Sequence, residues 1–350
     1  TLRRWAQSDP DGIFRVVQHA LELTEDGPGR ARLADLLGSI GHPRRVEVLA
    51  CIADADDHDA VRIAAVGALG ELRSPHAFTT LARHALDDGR VGLHAALALD
   101  GLMSDDRDAG RPPSGALRIA QLVLSGDLDG QLSLGGRGDT GGVASLLVSL
   151  GEALARRDDV DHVLTIGRGT PIDALTSPMP PDRDRPSYGM IAVDTDRTGD
   201  DPGGLWEHLP SIERGLRRQL RMAAPIDVLH LRMADVGTLA GAAVAKQLQL
   251  PICFSVAPDP HNVLRSLQSR GELDLDTFAD LDATTHVWFR ARLVERLTRE
   301  AESLALFPRA RPSELFGQLG VDETAAEDLS LIHISEPTRH DSGSRMPSSA

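Results

Sequence analysis

Three stretches of this chain repeat one another at an interval of roughly 30 residues, which restricts the first hundred residues to stacked helix pairs. They are Arg30 to Ile40 (RARLADLLGSI), Arg62 to Leu72 (RIAAVGALGEL) and Gly92 to Leu102 (GLHAALALDGL). Each reads as an Ala/Leu-rich second helix, and Gly38 and Gly70 recur at matching places near its end. Between them, Val46 to Ala53 and Phe78 to Leu86 carry apolar residues at helical period and supply the first helices. Asp56, Asp57, Asp59, Asp87 and Asp88 fall where helices are expected to start, and carboxylates there cap free amides and suit the dipole. Aromatics are only 3% of the chain, so Ala, Leu and Val must fill the cores.

This pattern resembles short HEAT-type repeats over residues 1–103. Two uses are open for such a block: a platform for a protein partner, or an adaptor that packs on the next domain. His19, His42, His76, His84 and His94 are scattered over helices and turns, and none reads as a ligand. Residues 104–115, polar and rich in Pro and Gly, read as a linker.

From Ala116 the texture changes. Leu117 to Ser125 reads as a buried strand, followed by a glycine-rich loop and a helix over Val143 to Arg156. Further strands are expected at His162 to Ile166, Tyr188 to Val193, Ile226 to Leu231, Pro251 to Val256 and His286 to Phe289. Helices are expected at Pro210 to Met222, Gly237 to Leu248 and Arg290 to Ser303. Such alternation implies a parallel sheet covered on both faces, with ligands at the carboxyl ends of its strands. The loop Asp139-Thr140-Gly141-Gly142 sits at such an end. Its glycines admit a close ligand, and the free amides of the following helix favour a phosphate or an electron-rich oxygen. No G-x-G-x-x-G occurs, which argues against a dinucleotide-dependent dehydrogenase.

A net charge of -15 repels phosphate backbones and anionic lipid, so nucleic-acid and membrane-surface binding are not expected. No apolar run is long enough to span a bilayer. Cys51 and Cys253, each in an apolar run, read as buried free thiols of a reducing compartment, so a cytoplasmic location is expected. No metal-ligand spacing of Cys or His is present.

Four stretches, in order, resemble the sucrose-phosphate synthase and sucrose synthase group. Leu134 to Gly142 (LGGRGDTGG) is similar to the LGRDSDTGGQ loop; Leu205 to Ile212 (LWEHLPSI) resembles LWPHIPEF; Val228 to Gly237 (VLHLRMADVG) resembles VIHGHYADAG; Asp161 to Thr165 resembles a VDLLT strand. The resemblance implies that residues 116–328 are the amino-terminal Rossmann-like half of a GT-B fold. Such an enzyme is a retaining glycosyltransferase that moves a sugar from a nucleotide-sugar donor to a carbohydrate-like acceptor, with no cofactor and no catalytic nucleophile. Gly141 and Gly142, shaped by Asp139 and Thr140, carry over as the donor-facing loop, and His230 and Asp235 carry over to the cleft rim. A TGHS-like histidine of the family is replaced here by Ala257, and His261 is the candidate to take its place.

Leu329 to Arg339 resembles the in-frame translation of a sequencing adapter, and residues 329–350 are set aside from fold reasoning on that account. On that reading the nucleotide-binding half is missing and the chain alone does not turn over. The alternative is a HEAT-repeat scaffold carrying a non-catalytic Rossmann-like domain.

Overall fold

The computed structural model describes residues 5, 8–104, 115–124, 141–177, 186–193, 205–223, 225–256, 259–306 and 330–333. The first region is three antiparallel helix pairs: α1 Pro10–Leu23 with α2 Gly27–Ser39, α3 Arg45–Ala55 with α4 Asp59–Leu69, and α5 Pro75–His84 with α6 Arg90–Ser104. Two of the starts are capped by carboxylates, Asp9 accepting from the Gly12 amide and Asp26 from that of Gly29, each with a proline in the first turn. The five repeat helices expected from the sequence are all present, and α1 completes the first pair. It buries Ile13, Phe14, Val17 and Leu21 along one face, and Phe14 stacks on His42 with ring centroids 3.8 Å apart.

The second helices α2, α4 and α6 stack on one another, and the matching glycines explain how. A Cβ on Gly38 would stand 2.8 Å from that of Ala68, and one on Gly70 would stand 2.7 Å from that of Ala98. Each glycine thus seats the alanine of the next repeat, which lets helices with small side chains close on each other without a void. Polar ties cross the repeats as well: Arg30 is clamped to the buried Asp56, and Arg83 and His84 reach Asp54 at 2.6 and 2.7 Å.

The second region is a parallel sheet in the order β3-β2-β1-β4-β5-β6-β7. Its strands are β1 Leu117–Leu122, β2 Val160–Gly169, β3 Ser187–Ala192, β4 Val228–Arg232, β5 Ile252–Val256, β6 Ser303–Leu306 and β7 Ser330–His333. Its helices are α7 Gly141–Ala155, α8 Pro171–Thr176, α9 Leu209–Met222, α10 Val236–Leu248, α11 Pro260–Ser269, α12 Leu275–Thr285 and α13 Val287–Glu300. The order of the first six strands is that of a doubly wound Rossmann-like sheet, and its switch point lies between β1 and β4. One face buries Leu122, Leu164, Leu229, Leu231 and Phe254 under α9, α10 and α13. On the other, α7 closes over Ile119, Val123 and Val163.

Three expectations are corrected. His286 to Phe289 is not a strand: His286 adopts a left-handed φ of 50° and α13 begins directly after it. The strand that follows β5 in the sheet is Ser303–Leu306, whose four residues pair with Cys253 to Val256. The cysteines are free but not buried, Cys51 being exposed and Cys253 half-buried. In addition, Ser330–His333, from the stretch set aside on sequence grounds, pairs in parallel with β6. An open sheet edge accepts any short extended apolar segment, whatever its origin.

The two regions are docked by charge. The α9 helix turns its apolar face to the sheet and its arginines to the repeats: Arg214 meets Asp35 at 2.7 Å, Arg217 meets Glu71 at 2.9 Å, and Arg218 holds Asp100 through Nε and Nη2 at 2.8 and 2.5 Å. The second-helix face of the repeats is therefore occupied by the chain's own α/β domain.

Candidate functional site

Ligands of a doubly wound sheet bind where neighbouring strands lead to opposite faces, because the two following loops diverge and leave a crevice. Here those loops are β1 to α7 and β4 to α10. The second is described in full. Asp235 caps α10, accepting from the Thr238 amide at 2.9 Å, and Thr238 Oγ1 stands 2.6 Å from the Met233 carbonyl and 3.0 Å from that of Arg232. Arg290 reaches across from α13 and donates to the Ala234 carbonyl at 2.9 Å. Inside this lock Met233 is held at φ 68°, a conformation that costs a non-glycine residue of order 1 kcal/mol or more. A Cβ on Gly237 would fall 2.9 Å from Leu124 Cδ1, so a larger residue there would have to push that leucine side chain aside where α10 begins. The β4 to α10 turn is thus rigid, strained and pressed to the switch point.

The candidate residues are distributed around it unequally. Gly141 and Gly142 form the first turn of α7, where backbone amides face the end of the helix. Asp139 and Thr140, like the preceding part of the loop, lie outside the described residues. Asp235 is at the switch point, but its carboxylate is spent on capping; burial pushes its pKa up, against the pull of Thr238 and the Arg290 charge.

His230 lies in the middle of β4 rather than on the rim, 7% exposed, with Nε2 2.7 Å from Ser255 Oγ on β5. Burial, then the neighbouring Arg232 charge, lowers its pKa to about 4, so it is neutral at physiological pH. It fixes β4 to β5 beneath the crevice. His261 is not in a loop: Asp259 caps α11 through the His261 amide at 3.0 Å and Pro260 occupies the first turn. Its Nε2 has no hydrogen-bond partner among the described residues, the nearest charge being Glu295 Oε1 at 3.9 Å.

Two groups at this edge were not expected as site residues. Arg232, at the last position of β4 and so at the carboxyl edge of the sheet, is 5% exposed. An arginine ending an otherwise apolar strand was the available signal. Near the amino-terminal ends of α9 and α13, Trp206 meets Phe289 edge-to-face at 4.7 Å and His286 at 5.6 Å. Beside them Trp288 is 52% exposed with the Arg292 guanidinium 4.9 Å from its ring centroid. Both helices run against the strand direction, so these aromatics collect at the carboxyl edge.

The comparisons bear on the first region. A family model described as HEAT repeats matches residues 15–100. No curated protein matches the chain. The chain therefore carries HEAT repeats followed by an α/β Rossmann-like domain with a parallel sheet. Among the described residues no helix is long and apolar enough to cross a membrane.

Proposed function

We propose that the α/β domain belongs to a nucleotide-sugar-dependent glycosyltransferase and that its β1/β4 crevice faces the donor diphosphate and the acceptor. The observation that carries this reading is the coincidence of two loops. Gly141 and Gly142, which end one motif similar to the sucrose-phosphate synthase group and begin α7, and the Val228 to Gly237 turn, which is another, are far apart in sequence yet flank one switch point. The α7 amides offer donors for a phosphate oxygen, buried Arg232 adds positive potential, and exposed aromatics nearby suit the apolar face of a sugar. In this role the chain positions and desolvates. It offers no nucleophile, and electrostatic complementarity to developing charge does the work.

A second reading, a HEAT scaffold with a non-catalytic α/β domain, draws on one observation: His230 and Asp235 are both consumed by internal hydrogen bonds. Hydrogen exchange with a panel of nucleotide sugars and sugar phosphates separates the two. Glycosyl transfer requires slowed exchange at the starts of α7 and α10 with at least one compound. A panel that protects neither turn leaves the scaffold reading.

A further inference from the structure

We infer that Trp288, with Phe289 next to it in the chain, is a stacking platform for the ring of a sugar. On the glycosyl-transfer reading that ring is the acceptor's, and only this assignment rests on that reading. Aromatics make up 3% of the chain, yet two of its three tryptophans stand at this one corner of the α/β domain. Both Trp288 and Phe289 stay open to water in the first turn of α13. They are held in place there. Asp282 accepts from the Trp288 amide at 2.8 Å, and Trp206, packed on the sheet core, braces Phe289 edge-to-face. Arg292, tied to Glu295 at 2.6 Å, lies over one face of the Trp288 indole. Next along the helix, Arg290 donates to the Ala234 carbonyl, so this turn lies within one side chain's length of the β4 to α10 turn. The corner therefore borders the crevice in which ligands of such a sheet bind.

The chemistry of the corner selects the occupant. An indole face is electronegative, and one face of a pyranose ring presents C–H groups whose hydrogens are slightly positive, so the two stack. The hydroxyls then project from the rim of the ring, where Arg292 offers donors and Glu295 an acceptor. A protein partner fits poorly, because the apolar patch ends within one turn. Arg292, Arg296, Arg299 and Glu300 follow on the exposed side of α13, whereas a stable interface needs about 800 Å² from each partner. A net charge of -15 sets the chain against an anionic bilayer.

The test is NMR of the whole chain with isotope-labelled tryptophan, whose three indole N–H signals are assigned through Trp→Phe variants. Methyl glycosides of common hexoses are titrated against sorbitol, which carries the hydroxyls without a ring face, and against uridine. The expected result is a saturable shift of Trp288, a smaller one of Trp206 and none of Trp5, with at least one glycoside and not with sorbitol. Read at Trp206, Trp288→Ala is expected to weaken binding about fivefold, the loss of one ring contact. Trp288→Tyr should restore most of the affinity and Trp288→Leu should not, a ranking that a folding defect does not produce. Shifts with uridine alone, equal shifts with sorbitol, or Trp288→Leu binding as well as Trp288→Tyr overturns the inference. A silent Trp288, while a nucleotide sugar protects the starts of α7 and α10, overturns the platform and leaves glycosyl transfer standing. A glycoside shift at Trp288 with neither turn protected keeps the platform and overturns glycosyl transfer instead.

Discussion

The glycine seats between repeats allow a quantitative test of how the solenoid is built. In Gly70→Ala the new Cβ would stand 2.7 Å from Ala98 Cβ and 3.2 Å from its Cα, both fixed to the backbone of α6. Ordinary contact begins near 3.4 Å, so no rotamer change relieves the overlap and α4 and α6 must part by several tenths of an ångström. Overpacking of this kind costs about 1–3 kcal/mol. The backbone at Gly70 is right-handed helical (φ -62°, ψ -18°), so alanine also gains up to about 1 kcal/mol in propensity and unfolded-state entropy. The packing term wins, with a net loss of about 1–2 kcal/mol. At about 2–4 °C per kcal/mol for a chain of this size, the melting temperature should fall by roughly 2–8 °C. Gly41→Ala is the matched control, because a Cβ there meets nothing within 4 Å; it should be neutral or slightly stabilising. Circular dichroism melts of the two variants suffice. If Gly70→Ala melts at or above Gly41→Ala, the stacking does not rest on a seated alanine.

A double-mutant cycle on Arg218→Ala and Asp100→Ala should give a coupling of about 1–3 kcal/mol in urea unfolding, since Arg218 is 9% exposed and Asp100 takes two of its donors; coupling near zero would mean that the domains dock without it. His230 has its folded pKa lowered to about 4 from 6.5, so the unfolded chain binds the extra proton. Its contribution is present above pH 6.5 and is lost as pH falls towards 4, on the order of 3 kcal/mol in all; His230→Gln should flatten urea midpoints over that window. Met233→Gly relieves a left-handed φ and should raise the unfolding free energy measured in urea by up to about 1 kcal/mol; a loss instead would mean that the Met233 side chain holds the turn.

Local features of the sequence were enough to locate most elements. The second helices announce themselves through period and small residues, and β1, β2, β4 and β5 through short apolar runs ahead of helices. Val287-Trp288-Phe289 misled because a three-residue apolar run has no period of its own and aromatics favour strands. Its helical state is set by Leu293, Val294 and Leu297 packing on the sheet a turn or two later. His261 was legible and missed: Asp259-Pro260 ahead of it is a helix start, with a capping carboxylate and a proline at the first position. The pairing of Arg214, Arg217 and Arg218 with Asp35, Glu71 and Asp100 had no local signal, because arginines on a helix read the same whether they face water or a domain more than a hundred residues upstream.

That pairing fixes a number. Helical-repeat arrays ordinarily gain and lose repeats freely, since each unit contacts only its neighbours. Here each second helix, or the turn just past it, delivers one carboxylate to one arginine of α9, so the array is read out by a partner of set length. A repeat inserted between α2 and α6 would carry Asp35 or Asp100 out of reach and leave a guanidinium buried without its counter-charge. Repeat number in this chain is therefore held by the α/β domain, and indels among its relatives should fall in the loops between helices rather than in whole repeats.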